Sequence, residues 1–204
     1  MVFDVDSTLI EQEAIELLAS FSGSQDVVAE ITERAMRGEI DFSESLVQRV
    51  ATLQGLTQDV LVEVSKMLTL TAGARELVAE IHARGGKAAA VSGGFIQLLD
   101  PLRSELGLDF AAANTLGVNA GLLTGEVIGE IVNRQTKADY LIKWATESGL
   151  RLDQTIAVGD GANDLGMMDV AGLSVAFCAK PIVNEEADIV LAERDLSQLI
   201  NVLP

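Results

Sequence analysis

Gly85-Gly86-Lys87-Ala88-Ala89-Ala90-Val91-Ser92-Gly93-Gly94 joins a helix stop, a short apolar run and a Ser-Gly-Gly turn in one stretch of chain. Upstream of it, Leu77, Val78 and Ile81 recur at helical spacing and predict a helix over 74–84, which the paired glycines end. Downstream the same rhythm continues: helix 95–106, strand 110–113, helix 136–148, strand 155–158, helix 163–171, strand 173–177, strand 188–191 and helix 195–202. Short apolar strands separated by amphipathic helices imply a parallel sheet covered on both faces, an α/β doubly wound (Rossmann-like) fold. Val118-Asn119-Ala120-Gly121 marks a hairpin turn, with Leu122–Ile128 as its return strand.

Residues 12–70 break that alternation. Ala14, Leu17, Leu18 and Phe21, then Val27, Val28 and Ile31, then Leu46, Val50 and Leu53, then Val60, Leu61 and Val64 give helix after helix with no strand between them. The expectation is a helical cap subdomain, 12–70, inserted after the first strand into a core made of 1–11 and 71–204. Open α/β sheets bind ligands outside the carboxyl ends of their strands, so an insert at that place is positioned as a lid.

The 204 residues are 49% hydrophobic and 22% charged, a composition that builds a core and does not fit disorder. Against 14 Lys and Arg stand 31 Asp and Glu, and the net charge of -17 argues against nucleic acid or an anionic membrane as partner. Cys178 is the one cysteine, flanked by Val175, Ala176, Phe177 and Ala179, and is expected as a buried small hydrophobe. No window approaches the ~20 apolar residues of a membrane span, so a soluble cytoplasmic protein is expected. Met1-Val2-Phe3 has the pattern of a strand's tail with almost no chain before it, as if the sequence began inside a longer protein.

Four motifs follow strands. In Phe3-Asp4-Val5-Asp6-Ser7-Thr8 two carboxylates crowd a strand end, which a cation or a shared proton would relieve; an Asp-rich turn with a capping hydroxyl is the plainer reading. Val158-Gly159-Asp160-Gly161-Ala162-Asn163-Asp164 repeats the arrangement, and Asp4 with Asp160 would suit a hard divalent cation. Ser92 with the Gly93 and Gly94 amides has the makings of an anion site at a helix start, or of a simple cap. Lys137 in Gln135-Thr136-Lys137 is one of five lysines and serves either as an anion ligand or as a solvated helix-start cation. His82, the one histidine, lies on the 74–84 helix with nothing nearby to activate, so a Ser-His triad has no support.

Taken in order, these motifs resemble those of the haloacid dehalogenase superfamily of phosphotransferases, over essentially the whole chain. Asp4-Val5-Asp6-Ser7-Thr8, Ser92-Gly93-Gly94-Phe95, Lys137-Ala138-Asp139 and Gly159–Asp164 are most similar to its phosphoserine-hydrolysing branch. The resemblance implies that O-phospho-L-serine is cleaved to serine and phosphate, the step that ends serine biosynthesis. It also implies a nucleophile at Asp4 and a general acid and base at Asp6. Asp4, the Asp6 carbonyl and Asp160 would bind one Mg²⁺, the choice between Mg²⁺ and Mn²⁺ being left open. Ser92, Gly93, Lys137 and Asn163 fall on phosphate-binding positions, and Asp164 on a supporting carboxylate.

Glu13 and Arg49 fall where such enzymes bind the substrate's ammonium and carboxylate, and Met36 and Phe42 where apolar residues close over it. From the residues alone Glu13 is a first-turn carboxylate, Arg49 a solvated face, and Met36 with Phe42 cap core. The resemblance further implies an amino-terminal regulatory domain as a candidate for what precedes Met1. Transfer to an alcohol, another small phosphomonoester as substrate, or a receiver-type phosphorylated signalling module are the competing readings.

Overall fold

The computed structural model describes the backbone of all 204 residues and every side chain except that of Met36. β1 (Val2–Phe3) is only two residues long and wholly buried, because Asp4 turns the chain out of the sheet at once. It lies between β2 (Ala89–Phe95) and β5 (Ile156–Gly159), parallel to both. β3 (Phe110–Asn119), β6 (Leu173–Phe177) and β7 (Ile189–Leu191) extend the parallel sheet, and β4 (Leu122–Ile128) adds an antiparallel edge. The order is β4-β3-β2-β1-β5-β6-β7. The chain therefore reverses its progress across the sheet between β1 and β5, and open sheets bind ligands in the crevice beyond such a switch point.

Both faces of the sheet are covered, as continuous apolar strands require. α5 (Ala74–Ala83), α6 (Ile96–Leu106) and a terminal 3₁₀ helix (Leu196–Val202) bury Leu77, Val78, Leu99, Leu196 and Leu199 against Phe3, Val158, Val175 and Phe177. On the other face α7 (Arg134–Glu147), α8 (Leu165–Val170) and α9 (Pro181–Glu186) bury Leu141, Trp144, Met167 and Val183 against Val2, Val91 and Ala176. A third apolar cluster joins α1 (Ala14–Ser22), α2 (Gln25–Met36), α3 (Phe42–Ala51) and α4 (Asp59–Met67) to Phe95, Leu98, Leu116 and Leu123. These four helices leave and rejoin the sheet side by side. Ile10 bridges Leu70, the Glu11 amide donates to the Thr69 carbonyl (3.0 Å), and the Thr71 amide donates to the Leu9 carbonyl (2.9 Å).

Several elements depart from expectation. The strand at 110–113 continues to Asn119, since it pairs first with β2 and then with β4. The helix at 195–202 is 3₁₀, whose three-residue period stacks Leu196 over Leu199. α9 has too few residues for a helical period to show, although Pro181 occupies its first turn. Cys178 is half-buried, with a left-handed φ of 47°, and corrects the expectation of a buried hydrophobe. Among the described residues, no helix is long and apolar enough to cross a membrane.

Candidate active site

Asp4 is buried at the carboxyl end of β1, where its amide donates to the Val158 carbonyl at 2.9 Å. After it the chain winds through one irregular turn, Val5–Leu9, that puts Ser7 at a left-handed φ of 57° and returns Asp6 beside the start of α1. There the Ala14 amide donates to Asp6 Oδ1 (2.7 Å), and the Ser92 hydroxyl donates to Asp6 Oδ2 (3.1 Å). Gly94 leaves just enough room for this: a Cβ there would lie 2.6 Å from Asp6 Oδ2.

Lys137 reaches the same place from α7. Its cap, Asn133, accepts from the Gln135 and Thr136 amides (3.0 and 3.1 Å), and the lysine on the second turn is completely buried. Lys137 Nζ donates to Asp4 Oδ1 (2.5 Å) and to Asp164 Oδ1 (2.6 Å). Asp164 Oδ2 in turn accepts from the Asp160 and Gly161 amides (3.1 and 3.0 Å), folding the turn after β5 around its carboxylate. Carboxylate oxygens of Asp4, Asp160 and Asp164 all lie within 4.8 Å of one another.

The helices after β1 contribute most of the remaining predicted residues. Glu13, the residue before α1, accepts a hydrogen bond from the Ser7 hydroxyl (2.7 Å). Arg49 is partly buried on α3; its Nε donates to the Ser45 carbonyl (3.3 Å), and among the described residues it forms no salt bridge. Phe42, seven residues earlier on the same helix, presses its ring on the Ser-Gly-Gly turn, so close that a Cβ at Gly93 would meet Cζ at 2.8 Å. Asn163 is half-buried in the turn between Gly161 and Asp164. The Met36 side chain lies outside the described residues.

The sequence model of haloacid dehalogenase-like hydrolases matches residues 1–169. The chain belongs to this family. A phosphoserine phosphatase of Streptococcus thermophilus is 51% identical over 203 residues, covering 100% of this chain and 94% of the relative. Phosphoserine phosphatase SerB2 of Mycobacterium tuberculosis is 49% identical over the whole chain, which spans 50% of that longer protein. A solved structure of a phospho-aspartyl intermediate analogue of phosphoserine phosphatase superposes with a TM-score of 0.94 at 43% identity, over 100% of this chain and 97% of the other.

Electrostatics in this haloacid dehalogenase-like site follow from crowding. Burial, reinforced by Asp164, raises the Asp4 pKa well above the usual carboxylate range, and Lys137 opposes it. Burial and then Asp164 push Asp160 up to about 7. Burial followed by Glu13 pushes Asp6 up to about 6, against the Ala14 and Ser92 hydrogen bonds. Burial disfavours the Lys137 charge, but Asp164 and Asp4 more than offset it and hold the ammonium protonated. Burial also lowers the Arg49 pKa, with Glu13 and Asp6 opposing. One ammonium shared by two of three packed carboxylates leaves negative charge in excess, and an all-oxygen donor set of this kind can bind a hard metal cation.

Two contributors carried no role in the sequence reading. The Thr8 hydroxyl donates to Asp160 Oδ1 (3.4 Å), and buried Asn114 donates to the Gly93 carbonyl (2.9 Å). The sign of Asn114 was there: an amide ending the apolar run Ala111-Ala112-Ala113. His82 has its Nε2 2.9 Å from Asp109 Oδ2, a carboxylate and not a nucleophile it could activate.

Proposed function

We propose that this chain hydrolyses O-phospho-L-serine to serine and phosphate through an aspartyl-phosphate on Asp4. The observation that carries the reading is the contrast between two carboxylates at one strand end. Burial raises the pKa of both, but Lys137 holds Asp4 Oδ1 in an ion pair, while Asp6, pushed up to about 6, is not bonded to the lysine and is able to carry a proton. Asp4 therefore suits attack on phosphorus, and Asp6 suits protonation of the departing serine oxygen, an alkoxide that leaves poorly without a proton. In the second half-reaction Asp6 takes a proton from the water that attacks the acyl phosphate. Lys137, the Ser92 hydroxyl, the Gly93 amide and Asn163 surround the transferring group and stabilise charge on its oxygens.

Asp4 Oδ2, the Asp6 carbonyl and Asp160 would hold one Mg²⁺; both oxygens of Asp164 are already engaged by Lys137 and two amides, so it supports the others. When bound, that ion supplies charge neutralisation between the attacking carboxylate and the phosphoryl oxygens. For the serine end, Arg49 offers a planar fork that no carboxylate among the described residues pairs with, and Glu13 a carboxylate for an ammonium. Residues 12–70 act as a cap over a core of 1–11 and 71–204, a division supported by their separate apolar cluster and paired linkers.

A phosphate-release assay over a panel of phosphomonoesters, with and without Mg²⁺, tests this function. Phosphoserine should be the preferred substrate and turnover should need the cation. Arg49→Ala should raise KM for phosphoserine by about tenfold or more, the scale of a lost charge-assisted hydrogen bond, with little effect on p-nitrophenyl phosphate. Preference for an ester without an amino-acid group, or equal effects of Arg49→Ala on both substrates, would contradict it.

A further inference from the structure

β2 and β3 run in register from Ala89 opposite Phe110 to Val91 opposite Ala112, and pair again only at Phe95 opposite Asn114. Between those points three residues of β2, Ser92 to Gly94, face one residue of β3, so the Ser-Gly-Gly backbone bulges out of the ladder. A backbone segment released from its ladder needs other partners. Buried Asn114 supplies one: its Nδ2 donates to the Gly93 carbonyl at 2.9 Å. The other end of the same side chain, Oδ1, accepts from the Val132 amide at 2.8 Å. Val132 immediately precedes Asn133, the cap of the helix that carries Lys137.

The contact reaches further than the loop. The Gly93 carbonyl and the Gly94 amide belong to one planar peptide unit. Its carbonyl end is held by Asn114, and its N–H end donates to the Ser92 hydroxyl oxygen at 2.8 Å. With a lone pair of that oxygen engaged, the Ser92 hydroxyl directs its own proton to Asp6 Oδ2 at 3.1 Å. A single amide thus connects the Ser92–Asp6 pair, through one rigid peptide, to the start of the lysine helix.

We infer that Asn114 is a positioning residue: it fixes the Gly93–Gly94 peptide, and through it the Ser92 hydroxyl, relative to Asp6 and the lysine helix. Asn114 touches neither the substrate's expected position nor the reacting carboxylates, and it acts only through the loop and the helix start. The inference rests on the phosphatase reading of the site. Its loss should weaken everything that grips the phosphoryl group and leave the Glu13 and Arg49 end unchanged.

Asn114→Ala removes both hydrogen bonds, whereas Asn114→Asp keeps an acceptor for Val132 and sets a carboxylate oxygen against the Gly93 carbonyl. In both variants kcat should fall, and the inhibition constant of inorganic phosphate should rise, by about tenfold or more. The ratio of kcat/KM for phosphoserine to that for p-nitrophenyl phosphate should stay at the parental value, since both esters share the phosphoryl group. Folded variants with parental kcat and phosphate inhibition, or a change confined to that ratio, would overturn the role. Amide hydrogen exchange of the parent gives an answer independent of turnover and of how the variants fold. Gly94 should be protected without phosphate, and rapid exchange there would overturn the clamp. A parent chain that releases no phosphate from any ester defeats the phosphatase reading instead, and the Gly94 exchange still decides the clamp.

Discussion

In the proposed reaction Asp6 must hold a proton at one moment and accept one at the next, so its pKa matters more than that of any other single group. Burial and Glu13 favour its neutral form and place it at about 6, against 3.8 for an ordinary aspartate. The raised value means the folded state binds the proton more tightly. The associated stability is fully present below pH 3.8 and is lost as pH rises through about 6. Asp6→Asn, which keeps an acceptor for the Ala14 amide and carries no charge, should therefore unfold at a higher temperature than the parent above pH 6, measured in chelator. The same variant should transfer the phosphoryl group to Asp4 more slowly, since it has no proton to give the serine oxygen. An Asp6→Asn protein less stable than the parent at high pH would show that the carboxylate is held ionised.

At the level of elements, α7 shows how local rules place a buried cation between two carboxylates. Asn133 caps the helix and the cap fixes where the second turn falls, which aims Lys137 between Asp4 and Asp164. Losing such a cap costs about 1 kcal/mol. Asn133→Ala should lower unfolding free energy by that amount and reduce kcat as well, both measurable by urea unfolding and steady-state kinetics. A stability loss with unchanged kcat would show that Lys137 is held by its carboxylates alone. The helix at 74–84 was legible because its period repeats within a few turns, and the strand at 88–91 because it is a continuous apolar run between a helix stop and a turn. α9 and the 3₁₀ form of Leu196–Val202 were not, because six or seven residues leave the period undetermined and tertiary packing chooses it.

Over the whole molecule, the site was legible wherever a motif ended a strand or, for Lys137, began a helix. Asp4, Asp6, Ser92, Asp160 and Asp164 come together because the doubly wound sheet brings three strand ends to one crevice, which Lys137 enters from α7. Thr8 was not legible, and Asn114 only as an amide ending an apolar run, since the partners of both lie on other strands or turns. Of the 31 acidic residues, three place carboxylates within 4.8 Å of one another here, against the single ammonium of Lys137. Asp160, pushed up to about 7, opposes folding increasingly as pH rises through that value in the absence of a cation. Added Mg²⁺ should raise the unfolding temperature, by an amount equivalent to about 2.7 kcal/mol at a hundred times its dissociation constant, and more above pH 7 than below it. Asp160→Asn should respond less; a full response in that variant would place the cation elsewhere.

Trapping the phosphorylated chain decides whether Asp4 is the residue that carries the phosphoryl group. Chain mixed with phosphoserine and Mg²⁺, quenched in acid and digested, should show one added phosphoryl mass on the peptide containing Asp4. Asp4→Asn should show neither that mass nor turnover. A phosphoryl group found on another residue, or steady release of phosphate by Asp4→Asn, would contradict the account.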